Sequence, residues 1–262
     1  MDSMPTSTDT DLARRLEAER EFHNRKFGEE RAHSASEAIY ELPRVAYRFF
    51  EAEVQPRAAG AKVLEYGCGD SSYAVKLSQW GGRVTAIDIS DEAIEETRRR
   101  VAEAGFLNQT DLIRMNAEEL DFPDGSFDLV VGRAILHHLD LEKSYASIAR
   151  VLKPGGAAIF LEPLAHNPLI NLYRRFTPHL RTEDEHPLTM RDLKAARRHF
   201  DKVGLRYFTL LSMGALPAAK APRLFQAMLK GLDKADGALF RTIPAAGRWA
   251  WTAAMVMEKK AS

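Results

Sequence analysis

The sequence predicts an α/β fold built on a mostly parallel sheet with helices covering both faces. Three observations carry this. Between residues 62 and 161, short runs rich in Val, Ile, Leu and Phe alternate with amphipathic stretches, the pattern of strand–helix–strand units. The first such strand runs directly into a glycine pair, Gly67 and Gly69, the tight turn that feeds a strand into a helix. With 262 residues and 45% hydrophobic side chains, the chain is long and apolar enough to bury a sizeable core.

The elements follow in order. Residues 1–10 are small and polar and are expected to form a disordered tail. Residues 11–55 read as a helical lid. Phe22, Phe27, Tyr40 and Phe50 stand there among charged residues, with breaks near Gly28 and Pro43. Residues 56–262 are expected to form one domain. Its predicted strands are 62–66, 83–89, 111–115, 127–132 and 157–161, and its helices 72–80 and 141–152. Ser90 or Asp91 offers an N-cap for a further helix reaching about Gly105. Two inserts break this rhythm, 163–187 and 213–248. Between them, Thr189 with Asp192 resembles a capping box that opens a helix to about Phe200, and a strand over 205–211 follows. A terminal strand over 249–257 closes the chain.

Composition excludes several classes. Balanced charge, 37 basic against 37 acidic residues, is a poor basis for binding nucleic acid, which draws on clustered cations meeting phosphates. No stretch approaches the roughly 20 apolar residues of a membrane span, so no integral membrane segment is expected. The N-terminus has no apolar core after a basic start and is not read as a secretory signal. A single cysteine, Cys68, makes no internal disulfide and no metal-binding pair, so a reducing, cytoplasmic setting is expected and no metal site.

The stretch Glu65-Tyr66-Gly67-Cys68-Gly69 lets backbone approach a ligand closely at a helix N-terminus. Asp88, about 20 residues on, can accept both hydroxyls of a ribose. A dinucleotide loop wants a third glycine where Ser72 stands, and the Glu65 carboxylate would repel a pyrophosphate. Glu65 suits a ligand carrying an ammonium and a sulfonium.

Here the sequence resembles a class I S-adenosylmethionine-dependent methyltransferase of the small-molecule type. The resemblance covers roughly residues 60–162, and the last strand pair more weakly. Glu65 to Gly69 is similar to the family's first motif, with Ser71 in place of a frequent third glycine. The resemblance implies that Asp88 holds the cofactor ribose, with Ile89 beside the adenine and Asn116-Ala117-Glu118 flanking the adenine edge. Phe127 to Val130 is similar to the family's fourth strand, and Arg150 to Gly156 to the turn before the fifth. It further implies a Rossmann-like, seven-stranded sheet with an antiparallel last strand, and S-adenosyl-L-methionine as cofactor.

Methyl transfer is an in-line displacement that needs alignment and exclusion of water. A base helps only where the acceptor must lose a proton. His137 and His138, just after the fourth strand, are the candidate catalytic pair; they either accept a substrate proton or shape the loop. Arg133 is a candidate partner for the cofactor carboxylate. Glu95, Glu96 and Arg98 to Arg100 read as a solvated helix face.

His166 and Arg174 in the first insert are candidates for substrate recognition, beside the reading that such polar clusters tie a loop to the body. Phe22, Phe27 and Tyr40 are candidates for closing over the pocket. The basic amphipathic stretch 220–234 has three readings: a cap on the core, a pocket wall or homodimer face, or contact with a membrane surface. The expected function is methyl transfer to a small apolar metabolite such as a quinone, phenol, terpenoid or polyketide-like molecule. The rivals are a cofactor-binding scaffold without turnover, a methyltransferase fold turned to other chemistry such as cyclisation, and a nicotinamide-dependent oxidoreductase.

Overall fold

The computed structural model describes residues 39, 41–176 and 186–261. Seven strands form one sheet: β1 (Lys62–Tyr66), β2 (Arg83–Asp88), β3 (Thr110–Arg114), β4 (Phe127–Arg133), β5 (Leu152–Pro163), β6 (Lys202–Phe208) and β7 (Thr252–Glu258). Their order is β3-β2-β1-β4-β5-β7-β6. The first five pair in parallel, and β7 runs antiparallel to both β5 and β6. This is the Rossmann-like α/β arrangement with an inverted last strand.

Seven α-helices accompany the sheet among the described residues: α1 (Arg44–Ala58), α2 (Ala74–Gln79), α3 (Asp91–Glu103), α4 (Leu141–Val151), α5 (Pro168–Phe176), α6 (Met190–Ala195) and α7 (Pro222–Thr242). Strand side chains alternate between faces, so neighbours in sequence join different cores. Leu64, Tyr66, Val130 and Phe160 pack with Tyr145 and Ile148 of α4 and Leu193 of α6. Val63, Leu129, Val131 and Ile159 pack on the other face with Phe50 of α1, Leu77 of α2 and Ile94 of α3. Burying each such large side chain contributes about 2 kcal/mol. Both faces are covered, and the central strands therefore carry continuous apolar runs rather than alternating ones.

Local chemistry sets the helix starts. Ser90 is the N-cap of α3, its hydroxyl accepting the Ala93 N–H at 3.1 Å. Asp140 caps α4, and Thr189 with Asp192 makes a reciprocal capping box at α6.

Four expectations shift. The strand expected over 157–161 begins already at Leu152, which pairs with Phe127 of β4. α1 runs through the expected 55/56 boundary, because Ala46, Phe50, Val54 and Ala58 form a buried stripe on the sheet; this helix is part of the sheet's cover, not of a separate lid. The strand expected at 205–211 occupies Lys202–Phe208 and stops before Thr209, whose φ of 64° leaves the extended region. The terminal strand starts at Thr252 and not at 249, because Pro244–Trp249 is a 3-10 turn packed through Gly247 on Tyr207.

The inserts and the N-terminal segment meet in a third, smaller core. Leu42, Ile170 of α5, Met213 and Ala215 of the 3-10 turn Leu211–Ala218, and Phe225 and Leu229 of α7 are buried together. Asp236 of α7 is buried and accepts three backbone N–H groups, those of Leu210, Leu211 and Ser212, at 2.7–3.1 Å. Pro163 at the end of β5 pairs with Thr252 at the start of β7, and Phe208 at the end of β6 pairs with the same residue. The second insert therefore leaves and re-enters the sheet at the carboxyl edge of its parallel strands, the edge that also carries the glycine turn; the first leaves there and returns beside it at Leu188, whose N–H donates to the Pro163 carbonyl.

Candidate functional site

The glycine turn leaves β1 with Gly67 at φ 76° and Gly69 at φ 49°, both left-handed. Their surroundings differ. A Cβ on Gly67 would lie 2.8 Å from Ile135 Cγ1, whereas a Cβ on Gly69 would meet nothing within 4 Å. Gly67 is thus required by packing, and Gly69 leaves open space above the loop. The Gly67 and Cys68 N–H groups donate to the Ile87 carbonyl at 3.1 and 3.0 Å. Cys68 is buried, and burial pushes its thiol well up, so it serves as a small packing residue rather than a nucleophile.

Asp88, at the end of β2, ties this loop to the next helix. One carboxylate oxygen accepts the Gly69 N–H at 2.8 Å and the other the Ser90 N–H at 2.9 Å. Each oxygen keeps a further lone pair for a hydroxyl donor. Ile89 follows it, half-buried.

Glu65 takes a different place from the one expected. Its two oxygens accept from the far end of the same loop, from Ser72 Oγ at 2.7 Å and from the Tyr73 N–H. It does not stand free to face a ligand cation, because the loop folds back over the end of β1. Burial pushes its carboxyl up to about 7, against those two hydrogen bonds and the Arg133 charge.

Arg133, at the end of β4, lies 4.1 Å from the Tyr73 ring centroid and 5.4 Å from that of Tyr47, and donates to the Ser71 carbonyl. Glu51 of α1 accepts from Tyr73 Oη at 2.8 Å and Lys76 Nζ at 2.5 Å, which fastens α1 to the loop. From the helix face expected to be only solvated, Arg100 donates to the Asp70 carbonyl at 2.7 Å and so clamps the loop from the other side.

The 116–118 stretch is held as a turn. Asn116 Oδ1 accepts the Glu118 N–H at 3.0 Å, the Ala117 carbonyl accepts from the buried Tyr66 hydroxyl, and Glu118 accepts the Asp140 N–H at 2.8 Å. These contacts join it to β1 and to the start of α4, beside the loop that follows β4.

That loop carries the histidine pair. His137 is buried with Nδ1 2.9 Å from Glu162 Oε2, and His138, half-buried, lies with its ring centroid 4.1 Å from that of His137. The other Glu162 oxygen accepts the Ile135 and Leu136 N–H groups. The His137 carbonyl accepts the His186 N–H at 2.9 Å, so the first insert closes back onto the pair.

Sequence reading missed Glu162, Tyr73, Tyr47 and Arg100. Glu162 had one signal: a lone acid at the end of an otherwise apolar strand. The other three depend on which helices meet the loop. His166 is exposed, and Arg174 is half-buried on α5. Phe22, Phe27 and Tyr40 lie outside the described residues. The first insert is tied to the body through Asn167, whose Nδ2 donates to the Trp249 carbonyl and whose Oδ1 caps α5.

The chain is similar to known proteins in sequence and in fold. Residues 64–160 match the family described as Methyltransferase domain. Over 121 residues the chain is 36% identical to the ubiquinone/menaquinone biosynthesis C-methyltransferase of Psychromonas ingrahamii, covering 44% of this chain and 48% of that one. The chain thus spans about half the length of the curated relatives it matches. Among solved structures, it superposes on the geranyl diphosphate C-methyltransferase of Streptomyces coelicolor A3(2) with a TM-score of 0.63 and 16% identity, over 94% of this chain and 97% of the other. It superposes on the cyclase SpnF with a TM-score of 0.57 and 17% identity, over 100% and 99%. By its domain match, its glycine loop and its sheet order, the chain is similar to the class I S-adenosylmethionine-dependent methyltransferases.

Proposed function

We propose that the chain transfers the methyl group of S-adenosylmethionine to a small apolar acceptor. The observation that carries this reading is the Gly69–Asp88 contact, a carboxylate with spare lone pairs beside open space above a left-handed glycine. That free space and those lone pairs support a ribose at this position. When bound, S-adenosylmethionine supplies an electrophilic methyl on a sulfonium, and no covalent intermediate with the protein is needed.

The residues then divide the work. Asp88 accepts the ribose hydroxyls, Ile89 lies under the adenine, and Asn116, Ala117 and Glu118 border its edge. Gly67, Cys68 and Gly69 give the backbone close approach, and Glu65 keeps the loop in shape. Arg133 is the cation for the cofactor carboxylate. His137 is held by Glu162 and positions His138, which takes the acceptor's proton where the acceptor is an alcohol or phenol. Arg174 and His166 border the acceptor side.

The acceptor class follows from the cap. Two inserts and Leu42 bring an apolar cluster to the sheet edge that holds the cofactor loop, and such a wall excludes water from an in-line displacement. Quinone and terpenoid acceptors, the classes named for the relatives above, suit it. The reading takes the sheet with its covering helix α1 as one methyltransferase domain reaching to residue 262, with inserts at 163–187 and 213–248. It places the reaction in a reducing cytoplasm.

Calorimetric titration with S-adenosylmethionine tests the reading. Saturable binding that Asp88→Ala weakens is expected, and absence of binding would refute it.

A further inference from the structure

Along α7 the charges are sorted by sign. Arg223, Lys230, Lys234 and Arg241 are all exposed. At about 3.6 residues per turn, their positions fall on one line down the helix, within about 40° of arc and over about 27 Å. None of the four has an acidic partner among the described residues. The two acids of the helix lie off this line and are engaged elsewhere: Asp236 is buried under residues 210–212, and Asp233, to one side, lies 3.9 Å from Arg44 on α1. Lys230 and Lys234 stand one turn apart, an arrangement that weakens an isolated helix. The chain as a whole balances 37 basic against 37 acidic residues, so this stripe is local segregation and not general basicity.

Large exposed apolar side chains stand near the two ends of α7. Leu224, Ile243 and Trp249 are 55%, 54% and 45% exposed, and Arg248 lies over the Trp249 ring at 4.9 Å. Asn167, the cap of α5, bonds the Trp249 carbonyl, and the exposed Leu169 and Leu172 of α5 follow directly. Ala227, Gly231 and Ala238 keep the outer face of α7 low between the cations.

We propose that this face docks the protein on an anionic bilayer surface, with α7 lying in the plane of the headgroups. Charge complementarity selects the occupant: a row of unpaired cations about 27 Å long matches a plane of lipid phosphates. The apolar neighbours select lipid over other polyanions. Leu224 and Ile243 enter the acyl boundary, and Trp249 sits at the interface, where an indole is favoured. A nucleic-acid duplex would leave these side chains without a partner. A second copy in two-fold symmetry would oppose cation to cation.

The test is co-sedimentation of the full chain with phosphatidylcholine vesicles and with mixed phosphatidylcholine/phosphatidylglycerol vesicles, at low and high salt. Binding to the mixed vesicles alone is expected, falling as salt rises, with about fivefold lost per cation removed. The variant combining R223Q, K230Q, K234Q and R241Q should stay in the supernatant with an unchanged Tm, and L224S should bind more weakly than the wild type. Equal binding to neutral vesicles, no binding to either, or full binding by the quadruple variant would overturn the proposal. So would duplex RNA retained through the stripe without vesicle binding, or a dimer that the quadruple variant abolishes. None of these readouts requires S-adenosylmethionine, so a failure here and a failure of the cofactor reading are separable.

Discussion

Glu162, fully buried at the end of β5, faces His137 Nδ1 at 2.9 Å with one oxygen and accepts the Ile135 and Leu136 N–H groups at 3.0 Å with the other. One carboxylate thereby sets the course of the whole loop after β4. The loop includes Ala134, a non-glycine residue held at φ 51°. Replacing Glu162 by Ala leaves two buried N–H groups and an imidazole without their partner. The expected loss is about 3 kcal/mol of stability, measured by urea unfolding. Glu162→Gln, which keeps an acceptor, should lose less.

The histidines should separate kinetically. His138→Gln is expected to lower kcat and flatten the acid limb of the pH–rate profile for a phenolic acceptor, with cofactor affinity unchanged. His137→Gln should act through the loop, lowering kcat without removing that limb. An unaltered profile in His138→Gln would leave alignment as the whole mechanism.

Gly67 and Gly69 share a left-handed backbone but not an environment. Gly67→Ala adds a Cβ against Ile135 to the strain of its φ, and should cost at least about 2 kcal/mol of stability. Gly69→Ala carries only the conformational strain, about 1 kcal/mol. It should instead reduce cofactor affinity, since its Cβ enters the open space above the loop. Unfolding and titration of the two variants read the two effects separately.

Glu65 supplies a pH dependence with a definite sign. A carboxyl raised from 4.5 to about 7 on folding favours the fold in its protonated form. Its contribution is full below pH 4.5 and is lost as pH rises toward 7. The wild type should therefore lose stability relative to Glu65→Gln across that interval and run parallel to it above. Urea unfolding at a series of pH values gives the comparison.

Asp236→Ala removes the acceptor for three backbone N–H groups beneath the cap. The acceptor KM should rise while the cofactor Kd stays unchanged, because α7 borders the cap and not the glycine loop.

The strands β1, β2 and β4 were legible because each is a short, largely apolar run that ends at glycine or an acid. The turn from Gly67 to Gly69 and the acid Asp88 sit at fixed distances along the chain, and local reading finds them. Glu65 shows where such reading stops: its residue type suited a ligand cation, yet its oxygens are taken by Ser72 and Tyr73, seven and eight residues on. Glu162 lies 25 residues from His137, and Glu51 reaches the loop from a helix that precedes β1. Neither pairing leaves a spacing signal. The C-terminal strands shifted by about three residues because Thr209 and the turn Pro244–Trp249 are set by packing on Tyr207 and α7, not by local pattern.

The central claim is most directly tested by incubating the chain with methyl-labelled S-adenosylmethionine and an extract of apolar metabolites, then following label into the organic phase. The account predicts an extractable labelled product, abolished in Asp88→Ala and identifiable by mass as one added methyl group. Tight cofactor binding with no label transferred to any extractable molecule would contradict it.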